Sequence, residues 1–157
     1  MTFDINHYGL WHRQSLLVLD VETTGLSSDL GDRVVQLGLA RFEQGKLVKA
    51  WGSLLWSGVE ISAEATEIHG ITTEQLAGAP TLIHVLPALI ELSRNAQPAA
   101  YNASFDKKFF FAEIGRLAFQ AYRLPLPIFN FSVPWVDPLV WARHIDRFEK
   151  GGNKLTE

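Results

Sequence analysis

The run Leu16-Leu17-Val18-Leu19, continuing through Asp20-Val21-Glu22 into Thr23-Thr24-Gly25, is short, apolar and closed by a turn signal. That pattern predicts a strand buried on both faces, the candidate for the centre of a sheet. Val34 to Phe42 and Leu47 to Trp56 read as two further strands, and Gln44-Gly45 between them marks the turn of an antiparallel hairpin. Beyond Gly58 the periodicity lengthens to that of helices. Thr72 and Gln75 stand in a capping-box relation, Pro80 suits the opening of a second helix, and Leu82, Val85, Leu86, Leu89 and Ile90 fall on one stripe of it. Pro87 is expected to kink that helix or delay its start. Ala99 to Tyr101 is a weak strand. A strong helix follows from Ser104 to Tyr122, with Phe110, Ile114, Leu117 and Ala121 as its seam. Asp106 lies one turn ahead of Phe110 on that seam, so its carboxylate is expected to face the sheet. Pro125, Pro127 and Pro134 make 124–134 a loop, and Val133 to Val136 reads as a last strand. Asp137-Pro138 then supplies the N-cap and first position of a helix to Phe148, which Gly151-Gly152 ends.

No repeat or linker divides the chain, so it reads as one α/β domain over 15–157 with an irregular lead-in at 1–14. Its 157 residues are 47% apolar, 20% charged and 11% aromatic, a balance that excludes disorder and supports a sizeable core. With no cysteine, disulfides and thiolate zinc sites are excluded. No apolar run approaches the length of a membrane span and no signal-peptide core precedes Gln14, which makes the cytoplasm the default expectation. The net charge of -3 gives no global basic field, although residues 1–100 carry 6 basic and 11 acidic side chains against 8 and 6 in 101–157. An acidic site that recruits divalent cations needs no basic stripe to handle a phosphodiester, because the metals supply the positive charge.

Residues two apart on a strand share a face and lie roughly 6.5 to 7 Å apart, so Asp20 and Glu22 project together from the end of the first strand. Such a pair either sits in water at a frayed strand end or holds a hard cation, Mg²⁺ favouring carboxylate and water oxygens. A third acid arriving from elsewhere favours the cation. Asp106, near a helix start after Asn102-Ala103-Ser104-Phe105, is that acid; alone it would be an ordinary first-turn carboxylate. The G-x-G-x-x-G, G-x-x-x-x-G-K-[ST] and G-x-S-x-G patterns are absent, which removes dinucleotide, nucleoside-triphosphate and serine-hydrolase readings. A haloacid dehalogenase-type phosphatase also ends its first strand in two acids, but Glu22 stands where that pattern requires Asp.

Asp20-Val21-Glu22-Thr23-Thr24-Gly25 resembles the first motif, D-x-E-T-T-G, of the DEDD (DnaQ-like) exonuclease superfamily. Asn102-Ala103-Ser104-Phe105-Asp106 is similar to the second, N-x-x-F-D, and Ile68-His69-Gly70-Ile71-Thr72 to the H-G-I segment between them. The likeness covers residues 15–150 and is to the histidine subgroup, which includes the proofreading subunit of DNA polymerase III and ribonuclease T. It implies a ribonuclease H-like fold with a mixed central sheet of about five strands flanked by helices. It also implies hydrolysis from the 3′ end of single-stranded DNA or RNA. By the same resemblance Asp20, Glu22 and Asp106 are catalytic metal ligands for Mg²⁺ or Mn²⁺. Two ions about 3.5 to 4 Å apart would activate water and stabilise the leaving 3′ oxygen. Thr23, Thr24, Ile68, His69 and Asn102 would then bind the terminal nucleotide. His69 reads equally as a packed loop histidine, and Asn102 as a turn residue. A DNA polymerase is a conceivable partner; a membrane is not.

The subgroup's third motif, H-x-x-x-x-D, does not follow the stretch Asp137 to Arg143 that precedes it in the family. His144 and Glu149 have the spacing but the wrong acid, and read as a solvated face; Asn153 to Glu157 looks like the lead into the absent motif. The expectation is a fragment or degenerate form with weak or no activity, lacking one metal ligand and a general base worth about 10² to 10⁴ in rate. The alternative is a non-catalytic nucleic-acid or polymerase-binding module of the same fold.

Overall fold

A computed structural model describes residues 14–119 and 134–146. Four strands, β1 (Ser15–Thr23), β2 (Val34–Glu43), β3 (Lys46–Leu54) and β4 (Gln97–Ala99), form one mixed sheet in the order β3-β2-β1-β4. β1 pairs antiparallel with β2 and parallel with β4. The β2–β3 hairpin turns at Gln44 and Gly45, both with positive φ (51° and 77°), the geometry whose twist suits a two-residue loop. Four helices complete the described chain: α1 (Ala63–His69), α2 (Leu82–Ser93), α3 (Ala103–Phe119) and α4 (Pro138–Asp146).

The main core lies on one face of the sheet. Leu17, Leu19 and Val21 of β1 and Leu37 and Leu39 of β2 alternate inward there, against Leu82, Val85, Leu86 and Leu89 of α2 and Phe109, Phe110, Ile114 and Leu117 of α3. A smaller cluster of Val35, Ile71 and Leu76 packs separately. β1 is thus buried on one face only: Leu16, Val18 and Glu22 of the alternate set are half-buried and Asp20 is exposed. Four apolar residues in succession cannot reveal which face is covered, because the run reads the same in either case.

Other expectations shift in detail. The fifth strand is reduced to a single parallel bridge, Ala99 to Val136. α2 begins at Leu82 and runs unbroken through Pro87, whose exposed ring interrupts the ladder while the buried stripe holds the helix against β2. The Thr72–Gln75 box is present, with the Thr72 N–H donating to Gln75 Oε1 at 2.7 Å, but it opens a 3₁₀ turn at Thr73–Leu76. The α-helix of that region is α1, capped by Ser62 Oγ, which accepts the Ala65 N–H at 3.1 Å. The lead-in up to residue 13, the loop from 120 to 133 with Ala121, and everything from 147 onward, including Glu149, lie outside the described residues.

Candidate active site

β1 is longer than its parallel partner, and that mismatch builds the site. β4 pairs only with Leu16, Leu17 and Val18, so the β1 edge beyond them has no strand beside it. The backbone turns after β4 into α3, whose first turn fills the gap. There the Val21 N–H, a donor with no ladder partner on that side, donates to Asp106 Oδ1 at 3.0 Å. This is the inward orientation the helical spacing predicts, and it brings Asp106 beside the two acids of β1.

Burial raises all three carboxylates, and acidic neighbours add to it at Glu22 and Asp106. Burial is the chief reason that Asp106 is pushed up to about 6; the charges of Asp20 and Glu22 add to it, and the Val21 hydrogen bond opposes it. Burial also raises Asp20. Glu22 is raised by burial and then by Asp20, with His69 pulling the other way. Opposite Asp20 on β2 stands Gly38, so no cross-strand side chain covers it. No lysine or arginine offsets the three acids in these shifts. Among the described residues no group of three or more acidic or histidine side chains is close enough to form a closed metal cage. Carboxylate oxygens are nonetheless the donor type a hard cation takes.

His69 is fixed by the turn that follows it. Gly70 takes the left-handed C-cap conformation (φ 74°), which swings the Ile71 N–H back onto His69 Nδ1 at 3.0 Å. With Nδ1 accepting, the proton sits on Nε2, which donates to the Thr23 carbonyl at 3.2 Å. Both ring nitrogens are therefore engaged.

Beside Glu22 and His69 opens a slot of about 200 Å³, floored by Val21, Ala65 and Phe105. Its lips are Leu26 and Ile68, 81% and 78% exposed. Ile68 is thus open to solvent at the mouth of the slot. Phe105 is the aromatic of the N-x-x-F-D segment, whereas no motif names Leu26; it directly follows the T-T-G signature, and that adjacency is the signal that could have found it. The two threonines hydrogen-bond within the loop that follows β1. Thr23 Oγ1 donates to the Gly25 carbonyl at 2.6 Å, and Thr24 Oγ1 donates to Asp32 Oδ1 at 3.0 Å while accepting the Arg33 N–H. Both are buried and brace the loop after β1. Asn102 is a turn residue with φ 61°, and its Oδ1 accepts from Ser104 Oγ at 3.3 Å.

A larger cavity, about 340 Å³, holds none of the three acids. Near it Glu113, buried on α3, receives Nε and Nη2 of Arg33 at 2.7 and 2.9 Å and Nη1 of Arg116 at 2.8 Å. Arg116 continues to the Ser28 carbonyl, so this network ties the 24–33 loop to α3.

A mixed sheet in the order β3-β2-β1-β4, with acids at the tip of its central strand, is the ribonuclease H-like architecture of exonucleases, and solved structures bear this out. E. coli exonuclease I, in the metal-free form of its complex with single-stranded DNA, superimposes with a TM-score of 0.68 at 17% identity, over 92% of this chain and 32% of that one. Exonuclease X in complex with 5′-overhanging duplex DNA gives 0.60 at 25% identity, over 90% of this chain and 68% of that one. A family model described as exonuclease matches residues 17–132, and the chain belongs to that DnaQ-like exonuclease family. The PolC-type DNA polymerase III of Streptococcus pyogenes serotype M18 is 32% identical over 134 residues, 85% of this chain; the match spans 8% of that relative's length.

Proposed function

We propose that this chain is the nuclease unit of a 3′ to 5′ exonuclease acting on the 3′ end of a single strand, with Asp20, Glu22 and Asp106 as its catalytic carboxylates. The supporting observation is the hydrogen bond from the Val21 N–H to Asp106, which seats a carboxylate from a distant helix against the two acids of β1. Three carboxylates raised by burial, Glu22 and Asp106 also by their acidic neighbours, form a site that a divalent cation would relieve. Asp20 and Glu22 would hold Mg²⁺ or Mn²⁺ directly and Asp106 in part through water; two such ions, when bound, supply an activated water and neutralise a leaving oxygen. The slot does the rest of the binding. Leu26, Ile68 and Phe105 offer apolar contact to the terminal base, while the His69–Thr23 bond keeps the slot wall and the end of β1 in register. In this arrangement the threonines of the signature shape the loop rather than touch the nucleotide. DNA is the favoured substrate, by likeness to the PolC-type polymerases and to exonuclease X, and the same likeness makes a replicative polymerase the natural partner. Both ring nitrogens of His69 are occupied, so His69 positions the wall of the slot and is not the general base.

A second reading, a binding module of the same fold without turnover, is favoured by the lack of a closed metal cage among the described residues. One experiment separates them. Degradation of a 3′-labelled single strand is expected to depend on Mn²⁺ and to vanish in Asp20→Asn. Strand binding with no mononucleotide release at any Mn²⁺ concentration selects the binding module, and equal rates in Asp20→Asn remove that residue from the chemistry.

A further inference from the structure

Asp137 caps α4, as its place before Pro138 implies: Oδ1 accepts the Leu139 N–H at 2.9 Å. The same carboxylate does something a cap of its own helix does not require. Oδ1 also accepts the Asn102 N–H at 3.1 Å and Oδ2 the Ala103 N–H at 2.9 Å, so one side chain closes the N-termini of two helices. Asn102 sits where α3 would ordinarily place its own capping side chain, yet its Oδ1 is turned to Ser104. The capping of α3 is supplied instead from a residue 34 and 35 positions away. A local cap would satisfy these N–H groups equally well. A distant one also fixes where the helix begins, at a left-handed residue (Asn102, φ 61°) that would otherwise let the turn pivot.

Backbone bonds hold Asp137 itself in place. The Val136 N–H donates to the Pro98 carbonyl at 2.9 Å and the Ala100 N–H to the Val136 carbonyl at 3.0 Å, locking the segment just before Asp137 to β4. The chain of contacts therefore runs from the sheet through Val136 and Asp137 to the first turn of α3, and from there to Asp106 against Val21. Asp106 lies four residues beyond Asn102, so a shift at the helix start reaches its carboxylate through one rigid turn.

We propose that Asp137 is a positioning residue for the divalent-cation site: by holding the start of α3 against β4 it sets the Asp106 carboxylate at the open edge of β1. The proposal rests on the cation-site reading of Asp20, Glu22 and Asp106. Two variants of the full chain test it, read by Mn²⁺ calorimetry and by amide hydrogen exchange. Asp137→Asn loses one of its two acceptor oxygens. Asp137→Ser keeps a cap for α4 but is too short to reach α3, so it isolates the link even if Asp137→Asn folds poorly. In both, Mn²⁺ affinity is expected to fall at least tenfold. Exchange at the Val21 amide is expected to rise at least tenfold, while amides of the β1–β2 ladder keep their protection. Unchanged Mn²⁺ affinity and Val21 protection overturn the proposal. So does a uniform loss of protection across the sheet, which is the signature of a purely structural cap. If neither the unmodified chain nor Asp20→Asn binds Mn²⁺, the cation-site reading fails instead, and Val21 exchange alone still decides whether Asp137 positions Asp106.

Discussion

The Asp106 carboxyl group is pulled two ways, toward ionisation by the Val21 N–H and toward protonation by burial beside Asp20 and Glu22. Its value of about 6 in the folded protein exceeds the ordinary 3.8, so the folded state holds this proton more tightly than the unfolded chain does. The corresponding stability is fully present below the unfolded value and is lost as pH rises through the folded one. In metal-free protein Asp106→Asn, which keeps an oxygen acceptor for Val21, is therefore expected to be more stable than the parent at neutral pH by about 1 to 2 kcal/mol. Thermal melts across that range check it: a variant no more stable than the parent at neutral pH contradicts the assigned cost of burying this charge beside two others. Gly25 is constrained more simply. A Cβ there would sit 2.6 Å from both carboxylate oxygens of Asp32, which are held by Thr24 Oγ1 and the Ser27 N–H. Gly25→Ala is expected to displace the loop and Leu26, weakening strand binding with little loss of thermal stability, as anisotropy and melting would show. The approach of Asp106 to β1 was legible in the helical spacing of α3. The bracing duty of Thr23 and Thr24 was not, since a threonine that binds substrate and one that hydrogen-bonds Asp32 or a carbonyl are identical in sequence.

Helices and strands follow their patterns wherever one periodicity dominates. The hairpin, the α2 stripe and the Phe110–Ile114–Leu117 seam stand as the spacing predicts. What the pattern could not supply is long-range partnership. Glu113 belongs to no motif, yet it is buried on α3 and receives two guanidinium groups and the Val34 N–H at 3.3 Å. Glu113→Ala would leave Arg33 and Arg116 without their shared carboxylate. A loss of about 2 to 4 kcal/mol in denaturant unfolding is expected, less than for a fully enclosed ion pair because both arginines keep some contact with water. In α2, Leu89 is fully buried in the main core, and Leu89→Ala is expected to lower stability by about 2 to 5 kcal/mol through the cavity it leaves. Near-parent stability in either variant would show that the 24–33 loop or α2 is held by other contacts.

The molecule as a whole carries a net charge of -3 and gathers three of its acids in one place, an unfavourable starting point for a polyanion. Mn²⁺ should therefore act on both partners at once. It is expected to stabilise the fold by mass action, by about 2.7 kcal/mol at a hundredfold excess over its dissociation constant, and so to raise the thermal midpoint. It should also strengthen binding of a single-stranded oligonucleotide, measured by anisotropy with and without chelator. Binding that ignores the chelator would place the strand on some other surface.

The disparity in length between β1 and β4 has a consequence for redesign. The carboxylate from α3 has a seat only because the sheet stops short on that side. A graft extending β4 by two or three residues would close the ladder neatly, satisfy Val21 with a carbonyl and improve the sheet by every ordinary criterion, and in doing so would evict the acid. Optimising this fold for regularity is thus opposed to keeping its chemistry.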